Sequence, residues 1–303
     1  MDGIKFTHCV VAFLDILGFK DFIEAAERVD SPEFRQFCEL QDVISRQLNF
    51  TKTGSADSRG GEQHLFPKDV GLQVVHVSDS FVLSAPICSE VCAGYSGVVA
   101  VAIKSIQMAH QLLTMGFLVR GGLAVGNLYR TGSNIFGTGY QAAYETERRA
   151  ATPRVLFHQS AVARFETESH LGIPLWGLSI FAKDGDEVIL DTLATNWSYV
   201  GAEPGADVTQ TFRSHRKMIE RRLSELRPGR AREKWEWMAK YFNAKQRNSN
   251  ELTSIGYVDV EKSSHFRFGP LISHSESTLQ DARTSFYAPG SEAIGCNKSP
   301  WVS

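Results

Sequence analysis

The segment that most constrains the fold is VVAFLDILGFK, which runs from Val10 to Lys20. Its first five residues are apolar, as in a buried strand, and Asp15 follows them directly. An unpaired buried carboxylate is costly, so Asp15 needs hydrogen-bond donors, a cation or a metal ion. Gly18 then breaks the strand, and the apolar spacing from Phe19 onward predicts a helix.

A second aspartate, Asp79, lies in VVHVSDSFVLS between two short apolar runs, a pattern that predicts a β-hairpin. If this hairpin lies beside the first strand, Asp15 and Asp79 come close together. Two such carboxylates repel each other unless a cation lies between them, and Mg²⁺ and Mn²⁺ prefer carboxylate oxygens. A single aspartate at a strand end is usually a turn former or a helix cap. The two together favour a site for two divalent metal ions.

The residues after Asp15 predict an anion site next to these carboxylates. Backbone N–H groups at the start of a helix converge on one point and bind anions. We therefore expect Leu17, Gly18 and Phe19 to bind phosphate. Metal-binding carboxylates beside such a turn indicate phosphoryl-transfer chemistry on a nucleotide.

Composition predicts a soluble cytoplasmic protein with a sizeable core. The 303 residues are 43% hydrophobic, and a formal net charge of −2 gives no general attraction to nucleic acid or to an anionic membrane. The N-terminus lacks a signal-peptide pattern. The apolar segment 91–118 is interrupted by polar residues, which predicts a buried amphipathic helix and no membrane span. Five scattered cysteines favour reduced thiols.

Hydrophobic patterning predicts the order β-α-α-β-β-α-β-β-α-β-β. One helix should start at Ser31-Pro32, a long helix should span 89–115, and FLVRGGLAVGNLYR should form a strand pair whose glycines permit close backbone approach. This order is typical of a ferredoxin-like α+β fold with an antiparallel-rich sheet. Residues 1–200 are expected to form the main domain and 201–258 a helical extension. Residues 259–303 are expected to be an irregular tail.

Four stretches, FLDILGFK, VSDSFVLS, RGGLAVGNLY and IFGTGYQAAYETE, resemble the class III nucleotidyl cyclase domain and occur in the same order. The resemblance covers roughly residues 8–190. It implies a ferredoxin-like catalytic core in which Asp15, the carbonyl of Ile16 and Asp79 hold two metal ions, Mn²⁺ or Mg²⁺. It also implies attack of the ribose 3′-oxygen on the α-phosphorus, release of pyrophosphate, and a homodimer with active sites at the subunit interface.

The sequence departs from that family after its glycine turn. The family has an asparagine there and, four residues later, an arginine. Alignment on Gly137 places Gln141 and Glu145 at these positions. Gln141 keeps a hydrogen-bonding amide, but Glu145 cannot replace a cation. A substitute would have to be another arginine, and those nearest in sequence are Arg148, Arg149 and Arg154.

The sequence also departs from the family where a lysine or glutamate reads a purine base, since that position falls on Val75 or His76. With YQAAYETE, TPR and KWEWMAKYFNA, these departures resemble the pyrimidine nucleotide cyclases of bacterial Pycsar anti-phage systems. That resemblance implies cyclic UMP or cyclic CMP, made from UTP or CTP, as a signal to a separate effector; we favour UTP. The candidate nucleotide-contacting residues are Phe50, Gln73, His76, Tyr140 and Gln141.

Other interpretations remain open. A cytidylate cyclase, a purine cyclase, or a degenerate cyclase fold that only binds nucleotides would share these motifs. A diguanylate cyclase fits less well, because RGGLAV lacks the acidic pair of that family's hairpin. Residues 213–234 hold nine Lys or Arg against three Glu, which raises affinity for phosphate. A solvated helix face with i,i+4 ion pairs is the simpler interpretation, so nucleic-acid binding is not expected.

Overall fold

The computed structural model describes residues 5–53, 70–89, 92–131, 134–195, 207–261 and 265–269. Within these ranges the strands are β1 (Thr7–Leu17), β2 (Gln73–Val77), β3 (Ser80–Pro86), β4 (Leu118–Thr131), β5 (Asn134–Phe136), β6 (Val155–Phe157), β7 (Ser169–His170), β8 (Ile173–Pro174), β9 (Phe181–Asp184), β10 (Glu187–Leu190) and β11 (Phe266–Phe268). The α-helices are α1 (Phe19–Ala26), α2 (Pro32–Thr53), α3 (Gly97–Thr114), α4 (Thr138–Arg149), α5 (Gln159–Val162), α6 (Thr209–Glu225) and α7 (Arg230–Arg247), and two 3₁₀ helices span Leu175–Gly177 and Asn250–Ile255.

One mostly antiparallel sheet organises these elements. Its strand order is β11-β9-β10-β6-β4-β1-β3-β2, with β5 paired to β4 outside this order. The β4–β6 pairing is parallel, and the other pairings in this sheet are antiparallel. The predicted mixed architecture with an antiparallel-rich sheet is therefore confirmed, and the predicted element order holds from β1 to β6.

Two element boundaries differ from the predictions. FLVRGGLAVGNLYR forms one long strand, β4, and the hairpin partner of that strand is the short β5. The long helix begins at Gly97, because the hydroxyl of Ser96 accepts a hydrogen bond from Val98 N (3.2 Å) and caps the first turn. The helix start predicted at Ser31 is confirmed, since Phe34 N donates to Ser31 Oγ at 3.0 Å.

The central strand β1 is covered on both faces, and its side chains alternate between them. Val10, Ala12, Leu14 and Ile16 belong to the large core on the α3 face. Cys9, Val11 and Phe13 belong to a smaller core with α4. By the same alternation Asp15 lies on the α4 face.

Helix α3, which forms most of the predicted apolar segment, is buried against the sheet and α6. Among the described residues, no helix combines the length and apolarity needed to cross a membrane.

Helix α4 lies unusually close to β4, and glycines make this possible. A Cβ added to Gly122 would lie 2.2 Å from Ala143 O and 2.6 Å from Glu147 N. A Cβ added to Gly126 would lie 2.6 Å from Gly139 N. The close backbone approach predicted for this strand is confirmed, and it fixes α4 directly over the sheet.

The helices after residue 207 pack against the sheet in a second buried cluster. Phe212, Ile219 and Phe242 share one buried cluster with Ile189 of β10 and Leu156 of β6. The helix break predicted at 227–229 is confirmed by the bounds of α6 and α7. The part of the predicted irregular tail that the structure describes differs from expectation, because 266–268 forms β11 and pairs with β9. Residues 270–303 lie outside the described residues.

Three buried histidines are neutral near pH 7. His110 and His215 stack between α3 and α6 with ring centroids 5.1 Å apart. Burial, with a smaller contribution from the charge of Lys245, lowers the pKa of His110 to about 4; burial lowers the pKa of His215 well below its ordinary value. Burial also lowers the pKa of His170 to about 4. Each ring must remain uncharged for the fold to keep its full stability.

The free energy of unfolding should therefore fall on mild acidification. Because the unfolded chain takes up protons near pH 6.5, stability is complete above that value and falls by about 1.4 kcal/mol per pH unit for each histidine as the pH decreases. For His110 and His170 this loss continues to about pH 4. Denaturant titrations at several pH values measure this slope. His170→Gln should reduce the slope by about a third, since it removes one of these groups. A flat profile down to about pH 5 would contradict the account.

Candidate active site

Asp15 lies near the end of β1, between two strands that are both paired with it. Its Cα partner is Ser80 on β3 and Arg120 on β4. The side chain is 15% exposed, so the carboxylate is largely buried but still accessible to a small ligand. The sequence places it there because VVAFL is buried as strand, and Gly18, at φ 78°, turns the chain into α1 in a backbone conformation that favours glycine.

Asp79 lies in the tight turn between β2 and β3, directly next to the partner of Asp15. Its backbone carbonyl accepts a hydrogen bond from Ile16 N at 2.8 Å. Its Oδ1 accepts a hydrogen bond from Ser80 Oγ at 3.3 Å. The structure thus brings together the two aspartates that the sequence singled out, at the same end of neighbouring strands.

Two further charged residues, which the sequence analysis did not identify, complete this site. Arg120 Nε donates a hydrogen bond to Asp15 Oδ2 at 3.1 Å. Arg120 also forms an ion pair with Glu147 of α4, whose side chain is only 3% exposed. Arg120 begins the RGG motif, but its place opposite Asp15 depends on the β1–β4 register. Glu147 reaches the site only because α4 lies so close to Gly122.

Burial and like charges shape the electrostatics of these acids. Burial raises the pKa of Asp15, Arg120 opposes that rise, Asp79 adds to it, and Lys234 of α7 weakly opposes it. Burial also raises the pKa of Glu147; Arg120 lowers it and Asp15 raises it. The site therefore holds more negative charge than its arginine neutralises, which favours uptake of a cation.

The residues predicted to bind phosphate can do so only through their backbone. Leu17 packs against the buried cluster formed with α6 and α7. Phe19 is buried, and its ring lies 5.9 Å from that of Phe22. Gly18 leaves open space where a side chain would be and provides no side-chain cap for α1. The first turn of α1 carries Asp21, which disfavours an anion unless a cation accompanies it.

The predicted nucleotide-contacting residues fall in different places. Tyr140 packs edge-on against Phe13 at 6.0 Å, on the same face as Asp15. Gln141 is exposed on α4. Gln73 is exposed on the edge strand β2, opposite Ser84. Phe50 belongs to α2, but its side chain lies outside the described residues.

His76 is not brought to the Asp15 face. Its ring stacks 4.7 Å from Phe81, whose side chain belongs to the core on the α3 face. Because strand residues alternate between faces, Val75 is the position that shares a face with Asp15. The alignment of this position on Val75 therefore agrees better with the geometry than the alignment shifted by one residue, which falls on His76.

The three arginines considered as substitutes for the missing cation contact side chains other than Asp15 and Asp79. Arg148 lies over the ring of Tyr144 at 6.0 Å. Arg149 pairs with Glu187 at 3.8 Å, and Arg154 pairs with Asp184 at 2.7 Å. The arginine that contacts Asp15 is Arg120, on the strand next to it.

The donor atoms at this site fit a hard divalent cation. Asp15, Asp79 and the carbonyl of Ile16 would supply oxygen ligands from two adjacent backbone segments. In the described part of the chain, no three His, Cys, Asp or Glu residues form a group that could hold a metal ion. Mg²⁺ is commonly held by only one or two carboxylates, with water and substrate phosphates as the remaining ligands. Two carboxylates and one carbonyl oxygen are therefore enough protein ligands for it.

No protein-family model matches the sequence, and no curated protein matches it. The function is therefore inferred from the site.

Replacing Arg120 with methionine should destabilise the protein in a pH-dependent way. In the presence of a chelator, the loss leaves Asp15 and Glu147 buried without their cation, at a cost of about 3 kcal/mol near pH 8. The pKa of each carboxyl group then rises further in the folded state. The folded protein binds more protons than the unfolded chain, so stability recovers as pH falls toward about 5.

Denaturant titration of Arg120→Met near pH 8 and at about pH 5 measures this recovery of the free energy of unfolding. Arg221→Met is the matched control, because Arg221 pairs with Glu225 on an exposed helix face and its loss should cost no more than about 0.5 kcal/mol. A destabilisation of Arg120→Met that is equal at both pH values would show that the two acids do not depend on Arg120.

Proposed function

We propose that the protein is a metal-dependent nucleotidyl cyclase that converts a pyrimidine nucleoside triphosphate, with UTP favoured, to its 3′,5′-cyclic monophosphate and pyrophosphate. The observation that carries the proposal is the juxtaposition of Asp15 and Asp79. The two lie on neighbouring backbone segments joined by the hydrogen bond from Ile16 N to Asp79 O. Two acids held side by side at strand ends are suited to hard metal ions and to a triphosphate.

The proposed fold is the ferredoxin-like core of class III cyclases. Its support is the element order from β1 to β6 and the central position of β1 between β3 and β4. In that arrangement the end of the first strand and the turn of the next hairpin meet at one site. The helices α6 and α7 pack onto this core as an extension.

In the proposed reaction, the ribose 3′-oxygen attacks the α-phosphorus and its proton passes to water. The bond from phosphorus to the pyrophosphate oxygen breaks, and pyrophosphate leaves with that electron pair. Two divalent metal ions held by Asp15, the Ile16 carbonyl and Asp79 would supply charge neutralisation and activate the hydroxyl. Backbone N–H groups around Gly18 would orient phosphate oxygens. Arg120 and Lys234 are the cations whose charge acts on Asp15, and they can oppose the charge of the triphosphate.

The preference for a pyrimidine rests on the resemblance to pyrimidine cyclases. Val75 shares the Asp15 face but offers no polar group for a purine edge. Phe13, Tyr140 and Tyr144 form an aromatic cluster on that face, with ring centroids 5.2 to 6.4 Å apart. Such rings are suited to stacking on a base. UTP and CTP differ by one exocyclic group, an acceptor in UTP and a donor in CTP, so a single hydrogen bond can separate them.

The proposed setting is that of a cytoplasmic homodimer that signals to a separate effector in anti-phage defence. Tyr144 is 41% exposed beside the site, as suits a residue covered by a second subunit. Nucleic acid is not a proposed partner. Several arginines of the basic segment are engaged in helical ion pairs, among them Arg216 with Glu220 and Arg221 with Glu225.

A nucleotide-binding regulatory module is the second candidate function. Two observations favour it: Arg120 already pairs with Asp15, and the exposed Gln141 and Glu145 stand where cyclases have an asparagine and an arginine. Such a protein would bind a nucleotide without converting it.

The test is incubation of the purified full chain with each of the four nucleoside triphosphates and Mn²⁺, followed by product analysis. We expect a cyclic monophosphate from UTP, less from CTP, and little from the purines. Asp15→Ala and Asp79→Ala should each abolish turnover while circular dichroism stays that of the wild type. Glu220→Gln, far from Asp15 along the chain and on an exposed helix face, should leave turnover unchanged.

The outcomes separate the candidates. No cyclic product from any nucleotide, together with measurable nucleotide binding, would replace the cyclase by the regulatory module. Cyclic AMP or cyclic GMP alone would overturn the pyrimidine assignment. Full activity of either aspartate variant would overturn the metal assignment.

A further inference from the structure

Arg120 contacts two carboxylates that have different places in the proposed site. Its Nε donates to Asp15 Oδ2 at 3.1 Å and also pairs with Glu147. Asp15 is a proposed metal ligand, whereas the proposed reaction gives Glu147 no role. A guanidinium and a divalent metal ion on the same carboxylate repel each other, and each weakens the bond of the other to Asp15. The site therefore carries a built-in competitor of its own metal.

Glu147 is held firmly in place. Its side chain is 3% exposed, and its backbone N lies so close to β4 that an added Cβ on Gly122 would come within 2.6 Å of it. Helix α4 therefore cannot withdraw Glu147 from Arg120 without separating from the sheet. Arg120 is less confined, with 31% of its side chain exposed. When one of the two contacts of Arg120 must break, the geometry favours keeping the one to Glu147.

We propose that Glu147 is a positioning residue that retains Arg120 when a divalent metal ion binds Asp15, and thereby keeps the metal site available. The inference rests on the metal site of the proposed function. With Glu147 in place, the arginine that leaves Asp15 still has a buried carboxylate partner. In the absence of Glu147, Asp15 would be the one carboxylate within ion-pair distance of Arg120 in the described part of the chain. Release of Arg120 from Asp15 would then leave the partly buried guanidinium without an ion-pair partner.

The test is a double-mutant cycle read by Mn²⁺ binding to the full chain without nucleotide. Electron paramagnetic resonance measures free Mn²⁺ directly and does not depend on turnover. Glu147→Gln should weaken Mn²⁺ binding about tenfold. In an Arg120→Gln background the same change should alter it by no more than about twofold, because no competitor remains. Glu220→Gln, which also removes a carboxylate paired with an arginine, should have no effect.

Glu147→Asp provides a second variant if the glutamine protein does not fold. It keeps the charge but shortens the reach to Arg120, so retention of the arginine predicts weaker Mn²⁺ binding. A long-range effect of the Glu147 charge predicts no change.

Two results would overturn the inference, and only one of them would also contradict the proposed function. An equal loss of Mn²⁺ affinity from Glu147→Gln in both backgrounds would reduce its role to general electrostatics and leave the proposed function intact. A wild-type protein that binds no measurable Mn²⁺, either alone or with a non-cyclisable UTP analogue, would overturn the metal site of the proposed function, and this inference with it.

Discussion

The register of β1 against its two neighbours is the constraint on which the site depends. β1 is paired with β4 from Thr7 to Leu17, and with β3 from Cys9 to Asp15. This double pairing places Ser80 and Arg120 on either side of Asp15. A slip of one residue would turn Asp15 toward the α3 core, where burial of its charge would be costly. The residues of β1 before Asp15 are apolar on both faces, so the cost of burying the Asp15 charge is what disfavours that slip.

The second constraint is the close contact of α4 with β4. Gly122 and Gly126 remove the side chains that would otherwise separate the helix from the strand. As a result Glu147 reaches the sheet and meets Arg120 in a largely buried setting. The electrostatics of the site thus depend on steric fit. Gly122 and Gly126 allow Glu147 to lie beside Arg120, and Glu147 then gives Arg120 a second carboxylate partner besides Asp15.

Much of the fold could be predicted from the sequence, because its signals are local. The apolar run before Asp15, the hairpin around Asp79 and the capping pattern at Ser31-Pro32 each depend on a few adjacent residues. The relation between Asp15 and Asp79 was also within reach, since strand ends in such an order meet at one site.

Other parts depend on contacts between distant segments and could not be predicted. Arg120 lies opposite Asp15 because of the register between β1 and β4. Glu147 contacts Arg120 because helix α4 packs closely against β4 at Gly122. The face occupied by His76 depends on the exact residue at which β2 starts to pair with β3. The strand Phe266–Phe268 carries too few residues to be recognised without its partner β9.

The central claim is that a divalent metal ion lies between Asp15 and Asp79 and binds the triphosphate of a nucleotide. The most direct measurement is a crystal structure of the full chain with Mn²⁺ and a non-cyclisable UTP analogue, with anomalous scattering used to locate the metal. The account predicts an anomalous peak bonded to an oxygen of each aspartate and to the phosphates, with Arg120 moved from Asp15 and still paired with Glu147. A nucleotide bound elsewhere, or Arg120 still on Asp15 with no metal beside it, would contradict it.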